Sequence, residues 1–171
     1  MRELLDRLVN PLHLVIALAC TWLLASSPRI AMYHAMPEPA GFINVSHVVL
    51  GLALLPLGLV YLAACTFGGR WRLYFPWLAG RFGDVGRDLA GIVRGQRPGS
   101  EGGGLFATIE GLLLLALLAT AGSGTLWFMG QSEDAAVLWR GHHILAARAF
   151  AGVMLLHVVA VGLHLLDLVR D

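Results

Sequence analysis

Residues 141–166 read GHHILAARAFAGVMLLHVVAVGLHLL, and this run decides the fold. It is apolar and long enough to cross the ~30 Å hydrocarbon layer of a bilayer as a single helix. Yet it carries imidazoles at His143 and His157 and a guanidinium at Arg148, side chains that are rare inside a membrane. The two histidines are fourteen positions apart. At ~100° and ~1.5 Å per residue they share one helix face to within ~40° and stand ~21 Å apart along the axis. A helix built this way holds something planar near each side of a membrane.

Three more runs of the same character lie upstream, and the four spans are approximately 11–27, 42–67, 105–129 and 141–168. The composition agrees. Some 57% of the chain is hydrophobic and 13% charged, with mean hydropathy +0.72, and a soluble fold of this length has no interior large enough for that apolar surface. A net charge of +1 excludes nucleic acid as a partner. Lone spans must satisfy their own backbone hydrogen bonds, so each is helical; the alternating ten-residue segments of a barrel are absent. The expectation is an all-α integral membrane protein, residues 1–171 forming a single membrane domain of four transmembrane helices in contact with lipid. The first span resembles a secretory leader, but Glu3, Asp6 and His13 are out of place in one, and it is read as a retained span.

Every basic residue is Arg, and their placement orients the chain. Arg2, Arg7, Arg70, Arg72, Arg81, Arg87, Arg94, Arg97 and Arg170 fall on one side, against Arg29 and Arg140 on the other. By the positive-inside rule both termini and the 68–104 loop are cytoplasmic. Within that loop FGDVGRDLAGIVRG sets Phe82, Val85, Leu89, Ile92 and Val93 at near-helical spacing, the pattern of a short amphipathic helix on a membrane surface. RPGSEGGG after it reads as a connector.

The remaining histidines give the pattern its meaning. His13 precedes the outer end of the first span by about four turns, which places it at the depth of His157. His47 lies about five residues into the second span, at the depth of His143. The four sort into two pairs, His47 with His143 and His13 with His157. Zinc takes four protein ligands, or three and a water. Two imidazoles with no carboxylate or thiolate suit an iron whose equatorial positions a porphyrin fills, so the pattern points to two non-covalent haems b. Cys20 and Cys65 are far apart and form no metal or covalent haem motif. Gly51, Gly58 and Gly152 lie near these histidines and would leave room for a macrocycle. His142 is within reach of the outer position on helical phase alone. His164 lies near the cytoplasmic boundary, a position for a haem propionate or quinone contact, and His34 lies in an outer loop.

NPLHLV around His13, INVSHVVLG around His47 and HHILAARAFAGVMLLH ending at His157 together resemble the prokaryotic cytochrome b561 family, which includes the b-type subunits of nickel–iron hydrogenases. The resemblance covers all four spans and favours His143 over His142. It implies a four-helix bundle in the bacterial inner (cytoplasmic) membrane, with two haems b on His13, His47, His143 and His157. It further implies electron transfer between quinone and a partner redox protein, as a subunit of a larger complex. Alternatives within reach are a stand-alone quinone-linked oxidoreductase, such as the superoxide oxidase among these relatives, or a role like the formate dehydrogenase gamma subunits. A haem-free structural subunit is the remaining possibility.

Two features separate these roles. An outer site for an anion wants positive charge, whereas Arg29 and Arg140 face Glu38, Glu133 and Asp134. Arg148 points away from the His143–His157 face and needs a counter-charge in hydrocarbon. Glu110 in the third span supplies one if depth allows; otherwise Arg148 snorkels or pairs within the bundle, or a partner subunit docks along the outer face of span four.

Overall fold

A computed structural model describes residues 2–95 and 104–168, with side chains from 9 to 95 and from 104 to 162. Most of the RPGSEGGG connector, Arg97, Arg170 and the side chains of Arg2, Arg7 and His164 lie outside the described residues. Every regular element in them is helical: α1 (Arg2–Ser26), α2 (Phe42–Thr66), α3 (Trp71–Tyr74), α4 (Phe82–Val93), α5 (Leu105–Met129) and α6 (Asp134–Leu168). Four stretches are long and apolar enough to cross a membrane, Val9–Arg29, Phe42–Gly69, Leu105–Met129 and Asp134–Gly162.

The helix ends differ from the sequence reading at two places. Helix α1 starts at Arg2 and passes through Pro11, which the sequence suggested as its first residue. Proline removes one backbone donor, a cost that membrane helices tolerate. Helix α6 starts at Asp134, seven residues before the expected Gly141. Arg140 had suggested a boundary there, but its guanidinium leaves the helix to donate to the Met32 carbonyl at 2.9 Å, and its charge lies 5.0 Å from the Tyr33 ring centre. Asp134 in the first turn suits the positive end of the helix dipole. Helix α2 ends where Gly68 and Gly69 take positive φ, 71° and 88°.

The residues gather into two compact units, Met1–Ala64 with Ala116–Phe150, and Cys65–Leu115 with Ala151–Asp171. In the first, Met32, Trp127 and Ala136 form a buried cluster with Ile30, Met36, Val48, Phe128 and Trp139 packed against it. Three hydrogen bonds fasten the 30–36 loop to α5, α6 and the turn between them: Trp127 Nε1–H to the Tyr33 carbonyl (3.0 Å), Arg140 to Met32, and the Met36 N–H to Gln131 Oε1 (2.9 Å). In the second unit Asp88, on α4, accepts from the Leu105 N–H at 2.7 Å and so caps the start of α5. One turn and a half further on, a Cβ at Gly111 would meet the Tyr74 carbonyl, so only glycine lets α5 approach that backbone.

Candidate functional site

Helices α2 and α6 bring two of the predicted imidazoles together in the first unit. The rings of His47 and His143 have centres 6.3 Å apart and planes at 86°. Two imidazoles bound to one metal through bonds of ~2.0–2.1 Å have ring centres roughly 6 Å apart, so the spacing fits a pair of axial ligands.

The Nδ1 atoms are already engaged. Nδ1 of His143 lies 2.9 Å from the Thr120 carbonyl on α5. A carbonyl only accepts, so the proton sits on Nδ1 and Nε2 carries the lone pair, the tautomer a metal needs. Nδ1 of His47 lies 3.4 Å from Ser26 Oγ. The Ser26 hydroxyl donates to the Leu23 carbonyl at 3.2 Å and therefore accepts from His47, which leaves Nε2 of that ring available as well. Gly124 completes the setting: a Cβ there would stand 3.0 Å from Nδ1 and 3.1 Å from Cε1 of His143.

His142, open on phase alone, has other neighbours. It is exposed, donates from Nδ1 to Leu138 of its own helix at 2.9 Å and packs on Trp139 with ring centres 5.4 Å apart. His34 is exposed, with its ring 4.8 Å from that of Tyr33. His13, on the exposed side of α1, stacks on Tyr61 of α2 at 6.1 Å and 25°. In the second unit His157 lies beside Phe106 of α5, 5.8 Å between ring centres. Sequence reasoning missed Tyr61, Phe106, Ser26, Thr120 and Gly124. Tyr61 had a signal, for it follows His47 by the same fourteen positions that separate His143 and His157. Thr120 had none, because its contribution is a main-chain oxygen.

The glycines divide. A Cβ at Gly51 or Gly152 would meet nothing within 4 Å, so neither glycine is demanded by close packing. Gly58 differs: a Cβ there would lie 3.0 Å from Leu118, so it is a close-packing position between α2 and α5. Among the described residues no three His, Cys, Asp or Glu side chains converge on one point. A bare ion finds no donor set there, whereas an iron already held by four porphyrin nitrogens asks for only the two imidazoles.

Comparison with known proteins agrees with this chemistry. The family model for prokaryotic cytochrome b561 matches residues 5–168. A cytochrome b562 of Cereibacter sphaeroides is 35% identical over 128 residues, which make up 74% of this chain and 63% of the relative, so the chain spans less than two thirds of that protein. No solved structure matches the chain. With the match running through all four apolar helices, the chain belongs to the prokaryotic cytochrome b561 family, membrane-bound b-type cytochromes of electron transfer.

Proposed function

We propose that this protein is a di-haem cytochrome of the bacterial inner membrane that passes electrons between quinone and a redox partner, as a subunit of a larger complex. His47 and His143 hold one haem and His13 and His157 the other. Both termini face the cytoplasm, following the arginine distribution. The observation that carries the reading is the His47–His143 pair, 6.3 Å between ring centres, with both Nδ1 atoms turned away toward Ser26 and Thr120. Haem b, when bound, supplies a reversible one-electron change at iron. The chain fixes the two ring tautomers, would hold the haem through His47 and His143, and sets apolar helices around the site, which together would tune the potential.

Arg148 supports the subunit role. It is exposed on α6, well inside the apolar stretch, and pairs with no carboxylate among the described residues. A guanidinium at that depth is costly without an acceptor, and a neighbouring subunit's helix supplies one. The stand-alone superoxide reading draws less support, because Arg140, an outer arginine that would attract an anion, is committed to Met32 and Tyr33.

Reduced-minus-oxidised spectra with pyridine haemochrome quantification test the proposal. Two haems b per chain are expected, one lost or made high-spin by His47→Ala and the other by His13→Ala. A single haem, or loss of both from either substitution, overturns the paired sites.

A further inference from the structure

The segment that follows α2 folds into a small basic cavity. Trp71 and Arg72 come directly after the second apolar stretch, which ends at Gly69. The chain then turns tightly over Pro76–Arg81, where Ala79 and Arg81 both donate main-chain N–H groups to the Pro76 carbonyl, at 3.1 and 2.8 Å, and Gly80 takes φ 66°. This turn returns Arg81 to Arg72. Together with Trp71, Leu78 and Ala79 they line a cavity of about 390 Å³. The Arg72 guanidinium lies over the Trp71 ring, 5.5 Å from its centre, a contact that leaves its N–H donors uncommitted. Arg81 and Arg87 share the single carboxylate of Asp84, at 3.0 and 3.1 Å. At the cavity itself two guanidiniums, Arg72 and Arg81, stand against the one carboxylate of Asp84, which Arg87 from outside also pairs, and Asp88 is occupied at the start of α5.

A second observation places this charge at a membrane surface. Helix α4 begins next to Arg81, and its apolar side chains fall on one arc with nothing packed over them: Phe82 is 63%, Leu89 51% and Val93 88% exposed. Leu78, at the cavity, is 67% exposed. An apolar stripe beside an interfacial tryptophan and a basic hollow fits a helix lying among lipid headgroups.

We infer that the Trp71–Arg72–Leu78–Ala79–Arg81 cavity binds the headgroup of an anionic phospholipid. The guanidiniums take the phosphodiester oxygens, and Leu78 with Trp71 covers the glycerol and the upper acyl chains. A neutral quinone would leave the surplus charge uncompensated. The inference needs only the membrane placement of the chain and is independent of the haem arrangement.

Native mass spectrometry of the protein released from bilayers of phosphatidylcholine with a minority of phosphatidylglycerol tests it. Wild type is expected to retain phosphatidylglycerol in preference to phosphatidylcholine. Arg72→Gln and Arg81→Gln should each lower that retention about fivefold, in line with the usual contribution of one arginine near an anionic surface. Arg87→Gln, outside the cavity, should change it less than about twofold. Arg72→Gln touches no ion pair, so its helical circular dichroism should match wild type and separate lost binding from lost folding. Equal retention of the two lipids, unchanged retention in Arg72→Gln, or displacement of the lipid by millimolar inorganic phosphate overturns the inference; the last would make the cavity a free-phosphate site.

Discussion

His143 is held from two directions, by the Thr120 carbonyl at Nδ1 and by the bare backbone of Gly124 against the ring. Gly124→Ala puts a methyl at 3.0 Å from Nδ1, so the imidazole must tilt. On the proposed two-haem arrangement the expected outcome is partial loss of the low-spin signal of one haem and none of the other, read in reduced-minus-oxidised spectra. Ser26→Ala removes the acceptor of His47 and should weaken haem retention at the same site about tenfold, the lower end for loss of such an orienting partner, measured by haem transfer to apomyoglobin. These two positions mark how far the sequence could be read. The approach of His47 to His143 was legible because helical phase and depth are arithmetic on residue numbers. Ser26 and Gly124 were not, since which serine or glycine meets a given ring depends on the rotation of one helix against another.

Among the elements, the α4–α5 joint has its own energetics. Asp88 accepts the Leu105 N–H, one of the donors that a helix start leaves unpaired. Asp88→Ala should cost about 1 kcal/mol and lower the melting temperature seen by circular dichroism. Tyr74, in α3 beneath α5, has its phenol pushed up to about 12 from 10.0, first by burial and then by the neighbouring Cys65 thiol and Glu110 carboxyl, against a smaller opposite pull from Arg70. Below pH 10 both folded and unfolded phenols are protonated and the contribution is intact. Between pH 10 and 12 the unfolded phenol ionises first, so stability falls across that window. An ultraviolet titration should show a late tyrosine phase that Tyr74→Phe abolishes. Helix α4 could be anticipated from its apolar spacing, and the ends of α5 from its apolar run. The early start of α6 could not, because a charged Arg140 reads as a boundary until its partner, Met32, is known.

At the scale of the whole molecule the unexplained charge is Arg148. If α6 meets another subunit there, Arg148→Leu should release that partner during extraction in mild detergent while both haem signals persist; co-purification in unchanged yield would argue against it. The other large-scale feature is the 30–36 loop, pinned by Trp127, Arg140 and Gln131 over the cluster of Met32, Trp127 and Ala136, with Val48 beside His47 packed under it. A loop fastened at three points carries its ties into α5, which offers the Thr120 carbonyl, and into α6, which carries His143. A load on the loop is therefore passed to both helices that orient that ring.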